Sequence, residues 1–135
     1  MLQGINPLLH GDILKLLDEM GHSDRIAIVD ANFPAHRVGK RVIETPGVDI
    51  VSMLQAVRSI MPLDSSLPPV LMQSGGDEIP QVQREILSAC QETKYELVER
   101  WEYYNITAEA YAVIATGEAR LWANVILAKG IPTTS

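Results

Sequence analysis

The chain has 135 residues, 47% of them hydrophobic and 21% charged, and a formal net charge of −6, which is the size and balance of one acidic globular domain over residues 1–135. This composition excludes a disordered chain and leaves no general basic footprint for nucleic acid; the one short basic cluster, Arg37, Lys40 and Arg41, also suits a solvated loop. Cys90 is the only cysteine, so no intrachain disulfide can form, and its place in a helical pattern predicts a small buried filler in a reducing cytoplasm.

The opening MLQGINPLLHGD lacks a basic region followed by a long apolar segment, and nowhere do about 18 apolar residues run together, so neither a leader nor a membrane span is expected. Leu9, Ile13, Leu16, Leu17 and Met20 recur at helical spacing and predict a helix over 8–20, with Gly21 ending it in a left-handed turn. His22 follows the cap. Residues 25–29, RIAIV, form an apolar run without alternation, the pattern of a parallel strand covered on both faces, and Asp30 closes it.

Residues 31–47 carry two prolines and two glycines and read as a functional loop with a short strand near 41–43. A helix is expected over 49–61, a strand over 69–72 and a second helix over 79–92, with Pro80 in its first turn. Residues 95–104 alternate and predict a strand, followed by a helical turn at 107–110; the apolar runs at 111–115 and 124–128 complete the set. Strands alternating with helices predict an α/β fold, a single three-layer domain with a mainly parallel sheet flanked by helices.

In open α/β sheets ligands sit outside the carboxyl ends of the strands, which makes Asp30 and the loop from Asn32 to His36 the candidate site. His22 lies before the same strand, about 25 Å of chain from Asp30 at about 3.3 Å per residue. Either the chain bends between them, or other segments or another subunit complete the pocket. The three histidines show no metal-site spacing, so no metal is expected. G-x-G-x-x-G, the P-loop and G-x-S-x-G are all absent; Gly75-Gly76-Asp77 and Thr116-Gly117-Glu118 read as turns. Trp122 and Asn124, just ahead of a buried strand, suit a sugar site, because an indole face stacks on a sugar ring and an amide offers both donor and acceptor. Core packing accounts for Trp122 equally well. Arg100, inside the expected strand, requires a carboxylate, ligand oxygens or open water.

From end to end the chain resembles the small bacterial sugar-anomer enzymes of the L-fucose mutarotase and D-ribose pyranase family. The resemblance is carried by INPLL at 5–9, LLDEMGHSDRIAIVDANFPAH at 16–36, the PPVLM segment at 68–72 and ATGEARLWANVILAKGI at 115–131, and the ANFPAH form lies nearer the fucose branch. It implies a cytoplasmic, cofactor-free isomerase acting on a monosaccharide such as L-fucose, assembled as a homo-oligomer, typically a decameric ring with active sites at subunit interfaces. By the same resemblance His22 is the catalytic proton donor, while Asp30, Arg100, Trp122, Ala123 and Asn124 bind substrate. One departure stands out: members often carry Tyr where this chain has Trp122, and Tyr103 or Tyr104 could supply the missing hydroxyl.

Anomer interconversion needs a proton on the ring oxygen and loss of one from the anomeric hydroxyl. An imidazole with an ordinary pKa of about 6.5 can give and take that proton near neutrality. Pyranose-to-furanose exchange, a ketol-isomerase, and a non-catalytic sugar carrier with the same pocket are the competing expectations.

Overall fold

The computed structural model describes residues 1–133. In chain order the elements are α1 (Gly11–Glu19), β1 (Arg25–Val29), α2 (Ala35–Val38), β2 (Val42–Thr45), α3 (Ile50–Arg58), β3 (Val70–Met72), α4 (Gln81–Cys90), β4 (Glu96–Val98), α5 (Arg100–Glu109), β5 (Ala112–Thr116) and β6 (Val125–Ala128). The strands form one six-stranded sheet in the order β2-β5-β1-β6-β3-β4. β1, β2 and β5 pair in parallel, as do β3 and β4, whereas β6 runs antiparallel to both β1 and β3. The sheet is therefore mixed, with β6 alone reversed.

Strand alternation splits the core into two layers. Ile26, Ile28, Leu71, Ala112, Ile114, Val125 and Leu127 face one side, against the apolar stripes of α1, α3 and α4. Ala27, Val29, Val70, Met72, Val113 and Ile126 face the other, where Ala35 of α2 and Tyr103 of α5 cover them. Helices on both faces explain why the strands read as unbroken apolar runs, and they make the three layers expected from sequence. Cys90 is buried in the first layer, and burial pushes its thiol up to about 12, which suits an inert filler. Among the described residues no helix is long and apolar enough to cross a membrane.

Two local expectations are corrected. Residues 95–104 do not make one strand: only Glu96–Val98 is extended, and Arg100–Glu109 is helical. Glu99 stops the strand and starts the helix, its carboxylate accepting from the N–H groups of Trp101 and Glu102 at 3.1 and 2.7 Å. This side-chain cap fills helix-end donors that would otherwise be unpaired, and the buried i, i+4 pair Tyr103 and Thr107 then seats the helix on the sheet. The second correction concerns Gly21, which does not take the left-handed turn. The chain leaves α1 through Met20 in an extended conformation, and Ser23 adopts the positive φ of 74° instead. Gly21 N–H is satisfied by Asp24 Oδ2 at 2.7 Å, and Ser23 is held in its strained conformation by a side-chain bond to Asp64 at 2.8 Å.

Candidate functional site

The reversed direction of β6 builds the site. Val125, its first residue, lies opposite Ile28 of β1 and Leu71 of β3, so the segment just before it, Trp122 to Asn124, emerges where β1 and β3 end. Asp30 leaves β1 at that same edge. Arg100, the first residue of α5, follows β4 to it. The result is a cleft of about 280 Å³ lined by Asp30, Asn32, Phe33, Met72, Arg100, Tyr104, Leu121, Trp122 and Asn124.

Asp30 and Asn124 form the polar floor. Asn124 Oδ1 accepts the Asp30 N–H at 2.9 Å, and its Nδ2 donates to Asp30 Oδ2 at 3.2 Å; the Asn32 N–H donates to Asp30 Oδ1 at 3.0 Å. Burial raises the Asp30 carboxyl above its ordinary range, and the bonds from Asn32, Asn124 and the main chain at Phe33 and Ala123 offset part of that rise. Ala123 itself is fully buried and contributes through its backbone.

Arg100 forms one wall. Its Nε donates to the Tyr104 hydroxyl at 3.0 Å, and its guanidinium carbon lies 4.7 Å from the Trp101 ring centroid. Among the described residues it pairs with no carboxylate, so its outer N–H groups remain for ligand oxygens or water. Because Tyr104 accepts from Arg100, its own hydroxyl hydrogen is free to donate. Phe33 stands edge-on to Tyr104 and Tyr103, with ring centroids 5.2 and 5.7 Å away, and ties the loop after β1 to α5.

Trp122 takes a φ of 66°, a conformation an L-residue keeps only when its surroundings enforce it. Gln83 of α4 supplies the restraint. Fully buried, it donates through Nε2 to the carbonyls of Met72 at 2.7 Å and Trp122 at 3.1 Å, fastening both edges of the cleft to one amide. Gln83 escaped notice in the sequence as a polar residue in an amphipathic helix; its only signal was its place between Val82 and Ile86, on the buried side of the pattern. A larger cleft of about 710 Å³ lies beyond Met72 along the 73–79 loop, but none of the catalytic or substrate-binding candidates named from sequence lines it.

His22 does not join this cleft. It precedes β1 and therefore sits at the amino ends of the parallel strands, where its exposed imidazole places Nε2 3.4 Å from Asp64 Oδ2. Within one chain, then, the structure gathers Asp30, Arg100, Trp122 and Asn124, with Ala123 beneath them, and leaves His22 at the opposite edge. His36 is also elsewhere, 2.9 Å from Glu44 on the surface. Of the basic cluster, Arg41 lies over the Tyr111 ring and Lys40 faces Glu109, both lining one surface cleft away from this site.

A mixed α/β sheet whose carboxyl edge carries a small cleft of carboxylate, amide, guanidinium and indole defines a protein built to hold a small polyhydroxylated ligand. The chain belongs to the RbsD / FucU transport protein family, whose model matches residues 3–132. It is 36% identical over 140 residues to an L-fucose mutarotase of Actinobacillus pleuropneumoniae, covering 97% of each chain. It also superposes, at a TM-score of 0.90 and 34% identity over 98% of this chain and 100% of the other, on the fucose mutarotase of Streptococcus pneumoniae in complex with L-fucose. Bacillus subtilis RbsD complexed with D-ribose shares the fold at a TM-score of 0.79 and 24% identity, over 98% of this chain and 100% of the other.

Proposed function

We propose that the protein is a sugar mutarotase that interconverts the α and β anomers of a reducing monosaccharide, with L-fucose as substrate. The observation that carries this is the Asp30–Asn124 floor beneath the Trp122 face and the carboxylate-free Arg100: acceptors, donors and a stacking surface converge on a space the size of one sugar ring, in a chain related to mutarotases. Asp30 and Asn124 grip adjacent hydroxyls, and Arg100 takes a third.

The reaction moves protons and opens and recloses one ring carbon–oxygen bond. A proton reaches the ring oxygen, the anomeric hydroxyl gives one up, and the ring carbon–oxygen bond breaks to leave an open-chain aldehyde. Rotation about the adjacent carbon–carbon bond, followed by return of the hydroxyl to the other carbonyl face, yields the second anomer. No redox change takes place and no cofactor is required. His22 is the proton donor to the ring oxygen in this scheme, the Tyr104 hydroxyl stands for the phenol missing at Trp122, and water takes up the proton that the anomeric hydroxyl gives up.

His22 lies too far from Asp30 to act on the same sugar within one chain, so the scheme needs the His22 edge of one copy over the cleft of a second. This favours a homo-oligomer with each site at an interface, and the family resemblance supports a cytoplasmic decameric ring as its form. Two measurements test the proposal. His22→Ala should lose most turnover of L-fucose while sugar binding survives, and light scattering should give a mass several times 14.9 kDa. Wild-type turnover in the variant, or a monomer at working concentration, would refute it.

A further inference from the structure

Tyr103 carries a hydroxyl that its immediate surroundings do not require. Its ring is fully buried in the layer with Ala27, Val29, Val70, Met72, Val113 and Ile126, all of them apolar, and a phenylalanine would fill the same space. Its phenol oxygen has no hydrogen-bond partner among the described residues. The nearby hydroxyls of α5 are committed elsewhere: Thr107 Oγ1 donates to the Tyr103 carbonyl at 2.8 Å, and the Tyr104 hydroxyl accepts from Arg100 Nε at 3.0 Å. A buried hydroxyl without a partner is destabilising, so one that persists has a polar atom to reach, across an ordered water where the gap is too long for direct contact.

That atom belongs to the Asp30 carboxylate. Phe33 and Met72 are shared between the layer around Tyr103 and the lining of the sugar cleft, so the phenol lies one side chain beneath the cleft. The Phe33 ring stands edge-on to Tyr103 at 5.7 Å, while its backbone N–H donates to the Asp30 carbonyl at 3.3 Å, which ties the Asp30 loop to the phenol. Burial first, and the Asp30 charge second, raise the Tyr103 hydroxyl well above its ordinary range, so it keeps its hydrogen and is available as a donor. Around Asp30, Arg100 and Tyr104 line the same cleft from α5, Asn32 and Asn124 are neutral, and His36 of α2 is turned to Glu44 on the surface.

We propose that the Tyr103 hydroxyl donates to one buried water that in turn donates to the Asp30 carboxylate, which makes Tyr103 the positioning residue that holds Asp30 ionised as an acceptor for sugar hydroxyls. A single water with partners on both sides satisfies the phenol and adds a donor to a carboxylate that burial disfavours. The link between Tyr103 and Asp30 stands on the buried layer alone; its consequence for the sugar rests on the proposed function.

The test uses the whole protein. In wild type labelled with ¹³C-tyrosine, the Tyr103 hydroxyl hydrogen should appear as a slowly exchanging resonance with a cross-peak to a long-lived water, a measurement that requires no variant to fold. The Asp30 carboxyl carbon is then titrated in wild type and Y103F. The phenylalanine keeps the ring and drops the donor, so the Asp30 midpoint should move to higher pH. With L-fucose as probe, Y103F should bind about threefold or more weakly below the wild-type midpoint and equally well above both midpoints.

An Asp30 midpoint unmoved in Y103F would overturn the inference and leave the phenol a structural hydroxyl, as would a Tyr103 hydrogen that exchanges at the rate of a solvent-exposed phenol. A midpoint that rises while L-fucose affinity ignores it would instead keep the link to Asp30 and overturn the place of Asp30 in the proposed function.

Discussion

Asn124 holds Asp30 at both ends, accepting its backbone N–H at 2.9 Å and donating to its carboxylate at 3.2 Å, across 94 residues of sequence. Both groups are buried, at 3% and 5% exposure, so removal of the amide leaves an unpaired donor and an under-bonded carboxylate. Asn124→Ala should lower stability by about 1–3 kcal/mol. The same variant should bind L-fucose more weakly. Chemical denaturation and a sugar titration check the two effects separately.

Asp30 and Asp64 should respond oppositely to pH. Burial raises the Asp30 carboxyl, so the folded chain holds that proton more tightly than the unfolded one; its stabilising contribution is complete below the ordinary carboxylate range and is lost as pH rises through the raised value. The Asp64 carboxyl is lowered to about 2, so its contribution is present above the ordinary 3.8 and is lost as pH falls from there toward 2. Thermal melts should therefore show Asp30→Asn gaining on wild type as pH rises above the ordinary carboxylate range, and Asp64→Asn losing less than wild type in the acid window.

Gln83→Leu keeps the volume at the base of the cleft and removes the donor shared by the Met72 and Trp122 carbonyls. The loss of stability should be about 1–3 kcal/mol, moderated because the unpaired Gln83 Oε1 disappears too. With Trp122 released from its enforced φ of 66°, KM for the sugar should rise more than kcat falls. Equal KM in the variant would show that the clamp does not position the indole.

Gly117 lies in the turn after β5, where an added Cβ would come within 1.9 Å of the Pro46 carbonyl oxygen. The neighbour is backbone and cannot swing aside. Gly117→Ala should cost about 1–3 kcal/mol through forced displacement of the 46–48 segment, read as a drop in denaturation midpoint with an unchanged slope.

The apolar runs at 25–29, 69–72, 111–115 and 124–128 were legible as strands, within one residue of their bounds, because burial on both faces leaves no place for polar alternation. Asp30 was legible for a related reason, as the polar residue that ends such a run. Helix α5 was not, since the alternation of YELVERWEYY imitates a strand and the deciding interactions, the Glu99 cap and the packing of Phe33 on Tyr103 and Tyr104, are tertiary or depend on a residue type seldom used as a cap. Nor could sequence reveal the direction of β6, which is what brings Trp122 and Asn124 to Asp30. Asp64 stayed hidden in a Pro/Ser/Asp stretch that reads as a surface loop, because its partners His22 and Ser23 lie some 40 residues away.

The most direct measurement is saturation-transfer NMR on the anomeric protons of L-fucose, D-ribose and several other reducing sugars, with and without the protein. Exchange between the L-fucose anomers should accelerate in proportion to added protein, and more than for the other sugars. Sugar signals that broaden on binding while no sugar exchanges faster would contradict the account and make the protein a carrier.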